Sequence, residues 1–206
     1  MSKKNNEQQK FWIGKFGQDY ISRNNLKNSV KNNLALFSKI FYKKIPPKDC
    51  LEIGANIGSN LVALKDLYPH LNTYGVEINK SAFKQLTINL GKNNFYNQSI
   101  ETFNKKKKYD LVFTKGVLIH INPKNLQKVY KKMFELSSKY ILTIEYYNPK
   151  PVSVIYRGHK DKLFKRDFAG EIMKKYKSLK LLDYGFIYHG DQSFPQDDMT
   201  WFLLKK

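Results

Sequence analysis

Hydrophobic positions along this chain change their spacing twice. From residue 8 to about 44 they recur at helical intervals, with Phe11, Trp12, Phe16 and Tyr20 first and Leu34, Leu36, Phe37, Ile40 and Phe41 after them. Gly14 and Gly17 weaken the first run, and Pro46 and Pro47 stop the second. Short apolar runs then alternate with helical ones. The pattern predicts strands over 49–54, 72–77, 94–98, 109–114 and 139–146, with helices over 57–67, 79–90 and 123–136. Runs such as "LVF" and "YILTI" are almost continuously apolar, as strands covered on both faces are. Beyond residue 148 the order changes to a Pro-containing loop "NPKPVSVIYRGHKD", a helix "LFKRDFAGEIMKKY" and two closing strands, "LKLLDYGFIYHG" and "DMTWFLLKK". The expected fold is α/β and Rossmann-like: a mostly parallel seven-stranded sheet, helices on both faces, and an antiparallel C-terminal hairpin.

Composition changes this picture little. The 206 residues are 41% hydrophobic and 15% aromatic, too apolar for a disordered chain. The net charge of +20 invites a nucleic-acid reading, but only three of the 37 basic residues are Arg. Together with 19 Asn, that Lys excess is what an A/T-rich coding sequence would produce, so most of it is read as solvated surface. "NKKKK" (104–108) is taken as a charged turn. The lone Cys50 falls on an apolar strand, where a core role is expected, and it excludes an internal disulfide or a Cys-cluster metal site. "MSKKNNEQQK" has no apolar leader and no run approaches 18 apolar residues, so a soluble, cytoplasmic protein without a membrane partner is expected.

Candidate chemistry gathers in "DCLEIGANIGSNL" (49–61). In an open α/β sheet, ligands lie beyond the carboxyl ends of the central strands. Here the first strand ends in Glu52, and Gly54, Asn56 and Gly58 carry the chain into a helix. Gly54 permits a sharp turn and a close approach, and Gly58 permits tight helix–strand packing. A dinucleotide site needs G-x-G-x-x-G, and an acid ahead of the glycines repels a pyrophosphate. It suits a cationic ligand, and S-adenosylmethionine, with an ammonium and a sulfonium, fits. Glu77 closes the second strand 23 residues after Gly54, where a carboxylate can accept both ribose hydroxyls, with Ile78 following it. Gln98 and Ser99, after the third strand, are candidates for the adenine, and Thr114, which ends the fourth, is a further candidate for the cofactor. Arg23 is a candidate for the carboxylate of the cofactor's methionine part.

The stretch 49–61 resembles motif I of class I methyltransferases, with Asn56 in place of the usual middle glycine. Asn is the residue that best tolerates the left-handed region after Gly. The segments "FWIGKFGQDYISRN", "LEIGANIGSNL", "YGVEIN", "FTKGVLIHINP", "EYYNPKPVSVIYRGHKDKLFKRDFAGE" and "QDDMTWFLL" further resemble the pseudaminic acid biosynthesis-associated methylases, small enzymes found near nonulosonic-sugar genes. The resemblance covers nearly the whole chain. It implies a single methyltransferase domain over 1–206, with a helical lid over 1–45 and a core over 46–206 that carries an acceptor-side insertion at about 148–170. It implies S-adenosylmethionine as cofactor, with S-adenosylhomocysteine as product, and a small acceptor.

Oxygen methylation needs an aligned nucleophile and a base. His120, just past the fourth strand, and His159, in "YRGHKD", are the candidate catalytic residues. Arg157 and Arg166 flank His159 and are expected to hold an anionic acceptor, because a guanidinium grips carboxylate or phosphate bidentately. Tyr146, Tyr147 and Asn148 are expected to line the acceptor pocket. No metal is expected, since no His or Cys cluster has ligand spacing. The readings set against this one are an RNA methyltransferase and a non-catalytic protein that binds the cofactor. Nucleic-acid binding is not expected, and the sequence leaves the oligomeric state open.

Overall fold

The computed structural model describes residues 5–23 and 26–206, so four N-terminal residues and residues 24–25 of the expected helical lid lie outside the described residues. The chain opens with helices α1 (Glu7–Ile13), α2 (Lys15–Ser22) and α3 (Leu26–Ile40). Asn6 caps α1 in a reciprocal box with Gln9, and Gly14 separates α1 from α2. The expected alternation follows as β1 (Asp49–Ile53), α4 (Ser59–Leu67), β2 (Asn72–Glu77), α5 (Lys80–Leu90), β3 (Phe95–Asn97) and β4 (Tyr109–Lys115). A short 3-10 turn (Leu118–His120) leads to α6 (Pro123–Leu136) and β5 (Ser137–Glu145).

The next segment departs from the sequence reading. Where a loop was expected, β6 (Val152–Tyr156) and β7 (His159–Lys165) form an antiparallel hairpin. Arg157 and Gly158 turn it with φ of 48° and 83°, the two left-handed positions of a tight two-residue turn. The helix expected from Leu163 is confined to α7 (Phe168–Lys175), capped by the Asp167 side chain, because 163–165 belong to β7. β8 (Lys180–Ile187) and β9 (Met199–Lys205) close the chain.

The main sheet has seven strands in the order β3-β2-β1-β4-β5-β9-β8. β3, β2, β1, β4 and β5 are parallel; β9 runs antiparallel to β5 and to β8. Alternation along each strand divides the core in two. Cys50, Leu111, Phe113, Leu142, Trp201 and Leu203 pack beneath α3, α4 and α5. Leu51, Ile53, Val112, Ile141 and Leu204 face α6 and α7 on the other side. Cys50 is fully buried, and burial pushes its thiol well above its usual range, so it is a core residue. All five parallel strands end toward one edge, and the strand order reverses between β1 and β4.

Candidate active site

That edge holds a cleft of about 450 Å³. Its floor is the turn after β1. Gly54 has φ of +72°, and a Cβ there would sit 2.6 Å from a Val117 methyl, so the position admits only glycine. Asn56 is also left-handed, at φ 47°, where the sequence reading placed a tolerated substitute for glycine. Gly58, at φ +88°, starts α4, and a Cβ there would press 2.6 Å from Leu86 Cδ1.

Two acids lie under this turn. Glu77, at the end of β2, is buried and lines the cleft. Its Oε2 accepts from Asn56 N at 2.8 Å and its Oε1 from Asn79 N at 2.6 Å. The Ile78 N–H also acts on this carboxylate, and the acceptor capacity left over can serve a donor in the cleft. Glu52 lies deeper: Asn60 Nδ2 donates to its Oε1 at 2.5 Å, while its Oε2 is buried without a partner among the described residues. Burial pushes the Glu52 carboxyl up to about 8, against the Asn60 hydrogen bond and the charge of Lys115. The side-chain oxygens of Asn56 and Asn60 are buried and unpartnered as well. Asn56 and Asn60 line the cleft and Glu52 lies behind Asn60, so these orphaned acceptors are what a cationic, hydrogen-bond-donating ligand would satisfy, and the residues fit the cationic cofactor expected from the sequence.

The far walls come from four other places. Ile78, Gln98, Ser99 and Ile100 border the cleft beyond β2 and β3. α1 closes over them: Gln9 Nε2 donates to Ser99 Oγ at 2.9 Å and to Glu101 Oε1 at 3.1 Å. Asn79 Nδ2 ties α5 to the Trp12 carbonyl at 2.8 Å. Trp12, Tyr20 and Arg23 line the cleft from α1 and α2, and the Arg23 guanidinium sits over the Phe16 and Tyr20 rings.

His120 enters from the 3-10 turn, with its ring against Trp12 and Tyr156. Its Nδ1 lies 2.7 Å from the Lys162 carbonyl, which only accepts, so Nδ1 carries the hydrogen and Nε2 is the acceptor. Burial lowers the imidazole to about 4, so it is neutral at pH 7. Glu145, at the end of β5, fixes this turn by accepting from the N–H groups of Val117, Leu118 and Ile119. Burial pushes Glu145 up to about 7 despite those bonds. Sequence reasoning did not single out Glu145, nor Lys115, which ends β4 and lines the cleft. Thr114, its neighbour on β4, is fully buried and does not line the cleft.

The expected acceptor residues do not gather. Arg157 lies at the exposed hairpin tip, where its charge acts on Tyr20 together with that of Arg23. His159 is exposed and packs on Phe11 and Phe16 rather than lining the cleft. Arg166 departs most from expectation. It follows β7, its Nε and Nη2 bind Glu171 Oε1 at 2.8 and 2.7 Å, and it borders a separate small recess with Tyr147. Glu171 also accepts from Tyr130, so Arg166 belongs to a structural network. The hairpin, which the sequence reading took for a loop, is what separates these three residues. Tyr146 donates to Asp197 at 2.9 Å beside the cleft, and Asn148 is half-buried and donates to the Lys150 carbonyl.

Among the described residues no His, Cys, Asp and Glu group could hold a metal, and no helix is long and apolar enough to cross a membrane. Residues 51–138 match the model of a methyltransferase domain, a segment that runs from β1 to the start of β5. No curated protein matches the chain. Among solved structures it is similar to an S-adenosylmethionine-dependent methyltransferase of Leishmania major, with TM-score 0.70 and 16% identity over 97% of this chain and 82% of that one. It is similar to magnesium protoporphyrin IX methyltransferase of Synechocystis, solved with bound S-adenosylmethionine, with TM-score 0.67 and 13% identity over 100% of both chains. A third is the 1,6-didemethyltoxoflavin-N1-methyltransferase of Burkholderia thailandensis, solved with its namesake compound and S-adenosylhomocysteine (TM-score 0.67, 11% identity, 92% of this chain and 82% of that one). The fold is thus the Rossmann-like methyltransferase fold, and the matched segment carries the glycine turn and both acids.

Proposed function

We infer that this S-adenosylmethionine-dependent methyltransferase acts in the cytoplasm on a small anionic metabolite and transfers the methyl group to oxygen. The cofactor supplies a methyl group made electrophilic by its sulfonium. Glu77 accepts the ribose hydroxyls through its remaining lone pairs, and Glu52, with the Asn56 and Asn60 oxygens, receives the cationic end. Ile78, Gln98 and Ser99 border the adenine, Gly54 and Gly58 give the backbone room, and Arg23 answers the methionine carboxylate. His120 Nε2 accepts a hydrogen bond from the acceptor and orients it.

The observation that carries the acceptor class is the pair of guanidiniums, Arg23 and Arg157, that both act on Tyr20 where α2 meets the hairpin. Arg23 lines the cleft and the charge of Arg157 reaches the same tyrosine, and two guanidiniums at the mouth of a cleft suit a carboxylate or phosphate. At about 450 Å³ the cleft is within the usual range for small-molecule sites. Resemblance to the pseudaminic acid biosynthesis-associated methylases favours a nonulosonic-acid-type sugar. Residues 1–45 act as the lid, 46–206 as the core of one domain, and the β6–β7 hairpin as the acceptor-side insertion. The test is transfer of labelled methyl from S-adenosylmethionine to N-acetylneuraminic acid, its nucleotide-activated form and total RNA. Transfer to a sugar acid that falls at least tenfold in Arg157→Lys is expected, and transfer to RNA alone would overturn the reading.

A further inference from the structure

We propose that Lys115 is the base that takes the proton from the methylated hydroxyl, its amine held in place by Asn33 and Gln196. The proposal deepens the reading above and rests on it. Lys115 ends β4, beside the reversal of strand order, and lines the cleft between the Glu52 side and Asp197. Its Nζ donates to Asn33 Oδ1 at 2.5 Å and to Gln196 Oε1 at 2.6 Å. Those two amides are themselves fixed. Asn33 Nδ2 donates to Ser59 Oγ at 3.4 Å, and Gln196 Nε2 to the Asn32 carbonyl at 3.1 Å.

A neutral primary amine has two N–H groups and one lone pair. Two amide oxygens satisfy both N–H groups and leave the lone pair for a hydroxyl in the cleft. The charged groups that act on Lys115 are Glu52 on β1 and Asp197 in the loop before β9, while α3 presents the Asn33 amide. Both carboxylates favour the ammonium, but burial outweighs them and lowers Lys115 to about 8. A sulfonium bound in the same cleft disfavours the ammonium further. His120 is the weaker candidate, since a group at about 4 holds a proton poorly at neutral pH. It orients the hydroxyl, and Lys115 receives the proton.

In the transfer step the acceptor O–H bond breaks and its proton goes to Nζ. The freed electron pair forms the O–CH3 bond. The methyl carbon–sulfur bond breaks with its pair kept by sulfur, which leaves a neutral thioether. Lys115, now an ammonium, returns its proton to water.

The experiment is an NMR titration of protein carrying 13Cε-lysine. The Lys115 signal is assigned by its loss in Lys115→Arg, or in Lys115→Gln if the first variant does not fold. Saturating S-adenosylhomocysteine supplies a neutral thioether, and saturating sinefungin an ammonium at the sulfonium position. The expected midpoint is near 8 with the first and lower by about one unit with the second. A midpoint near the ordinary lysine value of about 10.4 in both complexes would overturn the proposal while leaving the cofactor site intact. If neither compound binds, the methyltransferase reading of the cleft fails, and the role of Lys115 fails with it.

Discussion

Glu52 and Glu77 are both carboxylates at the ends of neighbouring strands, yet their surroundings give them different behaviour. Backbone N–H groups hold both oxygens of Glu77, whereas Glu52 has one buried oxygen without a partner and a carboxyl pushed up to about 8 by burial. A cation in the cleft prefers the ionised form of Glu52. Because the free-state pKa is raised, that form must be reached by losing a proton at neutral pH. S-adenosylmethionine affinity should therefore climb from pH 6 to pH 8 and level off above, with proton release on binding at pH 7. Calorimetry in two buffers of different ionisation enthalpy measures both. Glu52→Gln should flatten the climb and reduce the release, and a pH-independent affinity in the wild-type protein would remove Glu52 from the site. Both acids and the glycine turn were legible in the sequence, because strand ends and glycine spacing are local signals. Lys115 was not. A lysine directly after an apolar strand is a signal, but the Lys-rich composition hid it.

Polar side chains tie the N-terminal helices to the loops around the cleft. Asn79 makes two kinds of bond at once: its Oδ1 caps α5 by accepting from Ser81 N and Ala82 N, and its Nδ2 reaches the Trp12 carbonyl. Asn79→Ala should lower stability by about 1–2 kcal/mol through the lost cap. It should also speed hydrogen exchange in α1 and α2 while α6 keeps its protection. Urea unfolding and exchange mass spectrometry test the two effects, and equal acceleration in α6 would mean global destabilisation without a tie to the N-terminal helices. The β6–β7 hairpin shows where sequence patterns give out. Val152, Val154 and Tyr156 alternate as a strand should, but Pro149–Pro151 punctuation and the Arg157-Gly158 turn read as loop. Asn-Gly or Asp-Gly is the familiar signal for this turn, and Arg rarely takes its left-handed first position. Without the hairpin, Arg157, His159 and Arg166 read as neighbours, although two of them lie at the tip and one at the base.

At the scale of the molecule, the longest lysine run and the cleft lie apart. The Lys105–Lys108 run precedes β4, at the end of the sheet opposite the cleft. Lys107 pairs with Asp49 at 3.0 Å and donates to the Tyr74 hydroxyl at 2.7 Å, and Lys105 sits over the Tyr96 ring. Replacing Lys105, Lys106 and Lys108 together with Gln should leave cofactor affinity and turnover within about twofold. An enzyme that held RNA on this run would lose affinity with each phosphate contact removed and show a flatter salt dependence. Turnover and RNA affinity across a salt series separate the two cases.

The central claim is that the cleft at the ends of β1, β2 and β4 binds the cofactor through Glu77, and calorimetric titration with S-adenosylhomocysteine tests it most directly. The wild-type chain should bind one molecule. Glu77→Ala should weaken it about 10- to 150-fold, the loss of hydrogen bonds to a charged acceptor worth about 1.5–3 kcal/mol. Absence of binding by the wild-type chain, or equal affinity in Glu77→Ala, would contradict the account.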